Sequence, residues 1–281
     1  MEPIEIESTE TAQAQIFPSQ GQMQITPAFE AAHADMPLEP PAGGDFHAAF
    51  PVNDGSDDIG IVIGDVSGHG PTAAVQAEQL KQAVAAGLKA GHSPAEVLKD
   101  VNGPLEANPE FDGFATVFAG RVDAETGKLR YASGGHEPGL IAPGESVSDP
   151  EEVKELVSTG PPVGVAPAQE AHYDERAITL PLGGTLLLYT DGISEARSPV
   201  HRDLLGTERL KALFARFSTM PLTRLVGRIL ASVLAFCSRT MRDDFVLLAI
   251  RRRPRHGAKH GMALPPKIKL RRVSRGANDA F

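Results

Sequence analysis

The sequence predicts an α+β fold in which antiparallel sheets are covered by paired helices. Segments with strand character come as consecutive pairs joined by short turns, which suits hairpins rather than the long crossovers of a parallel sheet. Segments with a helical period come two at a time, giving the order strands, two helices, strands, two helices, strand. The 281 residues are 41% hydrophobic, enough for a substantial core. With few aromatics and no Trp, that core must rest on Val, Leu, Ile and Ala.

Residues 1–26 are polar and Gln-rich, with apolar positions only near Met23 and Ile25, and are expected to form a flexible N-terminal segment. The folded domain is placed at 27–251. Pro37, Pro40, Pro41, Gly43 and Gly44 predict a loop that delivers Asp45 into Phe46–Phe50. Asn53-Asp54-Gly55 reads as a turn, and the apolar run from Ile59 to Gly64 as a central strand ending at Asp65. A helix is expected over about Thr72–Leu88, with Val75, Leu80, Val84 and Leu88 on its apolar face and Gly91 ending it. Ser93-Pro94-Ala95-Glu96 is a capping box with proline at the first helical position, opening a second helix that contains Val97, Leu98 and Val101.

Asp112–Val122, Leu129–Ser133 and Leu140–Ala142 read as strands, the first two joined by the turn Asp123–Lys128, and Gly144–Gly160 as a polar loop. Strands follow at Ile178–Leu180 and Thr185–Tyr189, then helices at Thr207–Phe217 and Leu222–Phe236. Phe245–Ile250 is the closing strand.

The formal charge of −9 divides into two parts of opposite sign. Residues 1–250 hold 17 Lys/Arg against 35 Asp/Glu, whereas residues 251–281 hold 10 Lys/Arg against Asp279 alone. An acidic body repels nucleic acid and concentrates divalent cations, so no nucleic-acid partner is expected. The basic tail, 252–281, has no useful period and is expected to be disordered. The single Cys237 rules out an intramolecular disulfide and reads as a buried apolar residue. The N-terminus has no basic region followed by an apolar run, and no segment reaches the ~18 apolar residues of a membrane span. A cytoplasmic location is the default expectation.

Short acidic runs end the apolar strands at Gly43-Gly44-Asp45, Gly64-Asp65-Val66, Thr190-Asp191-Gly192 and Arg242-Asp243-Asp244. Carboxylates repeated at strand ends gather oxygen ligands for hard divalent cations such as Mg²⁺ or Mn²⁺. Water held between two such cations loses a proton near neutral pH and can attack phosphorus. Asp65 is the best bridging candidate, because the glycines around it let backbone approach the ions and Val66 can offer its carbonyl oxygen.

The runs Gly43-Gly44-Asp45-Phe46, Gly64-Asp65-Val66-Ser67-Gly68-His69-Gly70, Ala132-Ser133-Gly134-Gly135-His136-Glu137-Pro138, Leu188-Tyr189-Thr190-Asp191-Gly192 and Asp243-Asp244-Phe245 together resemble the motif series of the bacterial sporulation and stress-response serine phosphatases. These SpoIIE-type proteins form a branch of the metal-dependent, protein phosphatase 2C-like superfamily. The resemblance covers about residues 36–251. It implies an α-β-β-α sandwich, two central antiparallel sheets flanked by helical pairs, with a two-metal cleft at one edge.

The resemblance further implies a protein serine/threonine phosphatase that hydrolyses a phosphoserine or phosphothreonine monoester through a metal-bridging hydroxide. Asp65 would bridge two Mn²⁺ or Mg²⁺ ions and orient that hydroxide. The Val66 carbonyl and Asp45 would complete one metal, and Asp191 and Asp243 would hold the other. Asp244 and Thr116 would support the site. His69 is a candidate acid catalyst or loop stabiliser, and His136 a structural hydrogen-bonding residue.

No arginine occurs before Arg121 to clamp a phosphate, so positioning is expected to rest on metals and backbone, with a protein substrate supplying its own docking surface. The resemblance points to a phosphorylated anti-sigma-factor antagonist as that partner. With about 35 residues before the approach to Asp45, a stand-alone catalytic protein is expected. The competing readings are a catalytically weak metal-binding regulatory scaffold and a phosphatase of small phosphate esters.

Overall fold

A computed structural model describes residues 19–37, 43–52, 55–68, 70–108, 111, 113–144, 147 and 149–254. In chain order these form β1 (Ser19–Thr26), β2 (Phe29–Met36), β3 (Asp45–Pro51), β4 (Ile59–Val66), α1 (Pro71–Lys89), α2 (Pro94–Glu106), β5 (Ala115–Val122), β6 (Lys128–Gly134), β7 (Gly139–Ala142), β8 (Lys154–Leu156), β9 (Arg176–Thr179), β10 (Thr185–Tyr189), α3 (Asp191–Ser194), α4 (Gly206–Phe217), α5 (Leu222–Phe236) and β11 (Phe245–Arg252).

The strands divide into a six-stranded sheet, β1-β2-β11-β10-β7-β8, and a five-stranded sheet, β3-β4-β5-β6-β9. Every pairing between these strands is antiparallel. Burial alternates along the strands and sorts the core into three layers. Phe29, Ala31, Ile59, Ile61, Ile63, Leu186, Leu188 and Ile250 meet between the sheets. Val62, Val66, Val117 and Ala119 face outward onto Leu80, Val84, Leu88 and Leu98 of α1 and α2. Ala32, Ala34, Leu247 and Ala249 likewise pack on Phe214, Leu225 and Ile229 of α4 and α5. The result is the expected α-β-β-α sandwich.

β4 is buried on both faces, which is why it reads as an unbroken apolar run. Gly64 is required there. A Cβ at that position would sit 2.5 Å from both the Phe46 ring and the Thr116 carbonyl oxygen. The box at Ser93 forms as its sequence predicts: Ser93 N–H donates to Glu96 Oε2 at 2.8 Å, and Glu96 N–H donates to Ser93 Oγ at 3.3 Å. Cys237 is buried.

Several boundaries differ from the sequence expectation. Residues 19–26, assigned to a flexible segment, form β1, which pairs with β2 over Ser19↔Asp35 to Thr26↔Phe29. β2 itself, unassigned in the sequence, sits between β1 and β11. Its alanine-rich Phe29–Met36 run carries little β propensity, and flanking strands rather than its own side chains order it. The domain end also moves, because β11 continues through Arg252, whose side chain is buried. The Gly144–Gly160 loop contains a 3₁₀ turn at Pro150–Glu152 and the edge strand β8. Val75 is exposed. Ala73, Ala77, Leu80, Val84 and Leu88 form the buried stripe of α1. The Asn53-Asp54 part of the expected turn, residue 112, residues 1–18 and the tail from 255 lie outside the described residues. Among the described residues no helix is long and apolar enough to cross a membrane.

Candidate metal centre

Register brings the first acidic residues together. Asp45 at the start of β3 lies directly opposite Asp65 near the end of β4, and Thr116 on β5 lies opposite Asp65 on its other side. In the second sheet, β10 and β11 pair antiparallel with Tyr189↔Leu247 at their joined end. Asp191 leaves β10 where Asp243 and Asp244 enter β11. Each sheet therefore delivers its acidic residues from neighbouring strand ends.

Two hydrogen bonds tie the two sheets' contributions, and a third anchors Thr190 to β11. Thr190 Oγ1 donates to Asp45 Oδ2 at 2.7 Å and accepts from Val246 N–H at 2.8 Å. Gly44 N–H donates to Asp244 Oδ2 at 3.0 Å. Asp244 is thus a buried brace on the Gly43-Gly44 approach rather than a side chain projecting into solvent. Gly44 leaves the Val66 carbonyl and Asp65 uncovered, since a Cβ there would collide with the Val66 oxygen, and one at Gly43 would overlap the Asp244 carboxylate.

The electrostatics record this crowding. Asp45 is held well above the usual carboxylate range, first by burial and then by the Asp65 charge, with the Thr190 hydroxyl opposing the shift. Asp65 is pushed up to about 7 by burial and then by Asp191, Asp243 and Asp244. Asp191 is raised by burial, Asp243 and Glu195. Half-buried carboxylates that raise one another's proton affinity in this way favour a cation beside them. An all-oxygen set with these features fits hard divalent cations such as Mg²⁺ or Mn²⁺.

Behind Thr116, whose Oγ1 lies 2.9 Å from His136 Nδ1, the His136 ring is buried and its pKa is lowered to about 4 by desolvation. A neutral imidazole braced on Thr116 is what this environment supports. His69 lies outside the described residues.

One neighbouring feature is not among the residues expected from the sequence. A cavity of about 540 Å³ beside Gly192 and Asp243 is lined by Arg197, Arg202 and Arg242. All three lie far beyond the start of the domain, where a phosphate clamp was sought. They meet because the Ser194–Leu205 connection folds back, with Arg197 bridged to Leu204. Arg197 Nη1 donates to the Arg202 carbonyl at 3.3 Å, and Arg202 has a left-handed φ of 59°. Only the clustering of Arg197 and Arg202 around Pro199 could have suggested the site in advance.

Residues 55–253 match the family described as stage II sporulation protein E (SpoIIE). The chain belongs to that family. It is 29% identical over 195 residues to phosphoserine phosphatase RsbU of Bacillus subtilis, a match covering 69% of this chain and 56% of RsbU. The chain spans 33–56% of the length of the curated relatives it matches. A crystal structure of the RsbU and RsbW domains of a Mycobacterium tuberculosis protein superposes with a TM-score of 0.69 at 29% identity, covering 82% of this chain and 61% of that one. RsbX, solved in complex with magnesium, shares the fold with a TM-score of 0.59 at 14% identity, covering 84% of this chain and 100% of RsbX.

Proposed function

We propose that this chain is a divalent-metal-dependent protein phosphatase acting on phosphoserine or phosphothreonine, with a phosphorylated anti-sigma-factor antagonist as the substrate. The observation that carries the reading is the convergence of Asp45, Asp65 and Asp191 with raised proton affinities, a concentration of negative charge that cations would relieve. The similarity to a phosphoserine phosphatase over 69% of the chain supports the same reaction class. It also supports a partner-switching role, since the RsbU-like domain with the TM-score of 0.69 was solved together with an RsbW domain.

In this reading Asp65, the Val66 carbonyl and Asp45 would hold one Mg²⁺ or Mn²⁺ ion, and Asp65, Asp191 and Asp243 would hold a second. When bound, such ions supply Lewis-acid stabilisation of phosphate charge and acidify water. The chain's own residues do the positioning. Thr190 fixes the orientation of Asp45, and Asp244 locks the Gly44 backbone. His136 braces Thr116 opposite Asp65. Arg197, Arg202 and Arg242 present positive charge at the cavity beside Asp243, suited to acidic groups flanking the phosphorylated side chain.

Asp65→Asn and Asp191→Asn are expected to lower turnover of p-nitrophenyl phosphate at least about 100-fold, the scale of removing one preorganised electrostatic group. Calorimetric Mn²⁺ titration of the same variants should show weakened binding, with circular dichroism unchanged. Turnover at the wild-type rate in Asp65→Asn would overturn the bridging assignment.

A further inference from the structure

A second cluster of metal-ligating side chains lies where β2 of one sheet faces β3 of the other. His33 and Asp35 are two residues apart on β2 and so project from the same face as Phe29 and Ala31, which point between the sheets. His47 of β3 approaches from the opposite sheet. One potential ligand atom from each of the three lies within 4.8 Å of the others, the only such grouping of three His, Cys, Asp or Glu side chains among the described residues. The acidic centre does not form so close a grouping.

The geometry is close to that of a bound ion. Donors on a tetrahedral ion with bonds of about 2.1 Å stand about 3.4 Å apart. His33 Nε2 and Asp35 Oδ1 are already 3.5 Å apart. The His33 and His47 rings have centroids 4.9 Å apart and are tilted by 47°. The third donor, from His47, lies within 4.8 Å of both.

Two further features point to a ligand. His47 is half-buried and makes no hydrogen bond to a described residue, its ring neighbour being another imidazole. Imidazoles in that position normally find an acceptor, a water or a cation. Asp35 Oδ1 accepts from Ser19 Oγ at 3.0 Å, an outer hydrogen bond of the kind that orients ligating carboxylates. On β1, Gly21 lies opposite His33, and a Cβ there would overlap the His33 ring.

We propose that His33, Asp35 and His47 bind one borderline divalent transition-metal ion, of which Zn²⁺ is representative, stapling β2 to β3. Two imidazoles and one carboxylate select such an ion over Mg²⁺, which the all-oxygen centre suits. The staple holds the strand that presents Asp45, since His47 lies two residues along β3 on the same face. The inference stands on this geometry and not on the phosphatase reading.

The test uses the full chain, stripped with a chelator and returned to excess Mg²⁺ to fill the acidic centre. Co²⁺, a spectroscopic stand-in for Zn²⁺, is then titrated with visible absorption as the readout, and Zn²⁺ by calorimetry. One equivalent is expected to bind in the presence of Mg²⁺. His33→Gln and His47→Gln should each weaken that binding at least about tenfold, whereas Asp191→Asn should retain it. Loss in Asp191→Asn with retention in both histidine variants would place the ion in the acidic centre and overturn the proposal. The wild-type chain supplies a measurement independent of variant folding, since bound Co²⁺ should shift the NMR resonances of two imidazoles. A spectrum without those shifts, or no Co²⁺ uptake in excess Mg²⁺, would equally overturn it.

Discussion

Thr190 and Asp244 show how much of an acidic centre depends on residues that need not touch an ion. A carboxylate pushed upward in pKa needs a donor or a cation to stabilise its charged form and hold it in place. The Thr190 hydroxyl fixes Asp45 while accepting from the β11 backbone. His136 plays the corresponding part for Thr116, and its environment makes a pH prediction. Burial lowers its pKa from 6.5 in the unfolded chain to about 4 in the folded one. Between those values the unfolded state binds a proton that the folded state refuses, so this contribution is complete above pH 6.5 and is lost as pH falls toward 4. The whole excursion amounts to about 3 kcal/mol. Urea denaturation from pH 7 to pH 4 should therefore show a steeper loss of stability in the wild type than in His136→Asn, whatever the variant's offset at pH 7. Parallel profiles would show that His136 is not neutral in the folded protein.

At the scale of elements, Arg252 redraws the domain boundary. Its guanidinium is buried at the end of β11, donating to the carbonyl oxygens of Glu125 at 2.7 Å, Leu180 at 3.1 Å, and Ala124 and Thr126 at 3.2 Å. One side chain from the six-stranded sheet thus clamps the β5–β6 turn and the segment after β9 of the five-stranded sheet. Arg252→Ala strands those carbonyls and is expected to cost about 2–4 kcal/mol, measured by denaturant titration. Truncation after Pro254 should leave the melting temperature and metal-dependent turnover of p-nitrophenyl phosphate unchanged, whereas truncation after Arg251 should lower the melting temperature. Equal melting temperatures for the two truncations would mean the clamp contributes nothing. In the sequence Arg252 was one basic residue in a basic run, and nothing in composition distinguishes the buried one. The helices and central strands were legible because their periods are set locally, as at Ser93–Glu96 and Ile59–Gly64. β1 and β2 were not, since a Gln-rich strand and an alanine-rich strand acquire their state from pairing. The acidic residues were legible as strand-end landmarks. The cavity arginines and the His33–Asp35–His47 group were not, because each is assembled by segments that meet only in the folded chain.

For the whole molecule, the two sheets meet so that the acidic centre opens beside a cavity carrying three arginines, in a body whose remaining charge is strongly negative. This separates two tasks. In the proposed function the small reacting group would be handled by the Asp cluster, while the flanks of a phosphorylated protein would meet Arg197, Arg202 and Arg242. A cluster of three arginines on an otherwise acidic body steers a partner by register more than by overall attraction. The double variant Arg197→Ala, Arg202→Ala is accordingly expected to leave turnover of p-nitrophenyl phosphate within about twofold of wild type and to lower kcat/KM for a folded phosphoprotein by about tenfold, or 1.4 kcal/mol, chiefly through KM. The difference should shrink as salt is raised, because exposed charges are screened over about 10 Å at 0.1 M. A short phosphopeptide, lacking a docking surface, should be a slower substrate than the folded protein and should lose less from the double variant. If peptide and protein were hydrolysed with equal efficiency and the variant slowed both alike, the arginines would belong to the reacting site itself and not to docking.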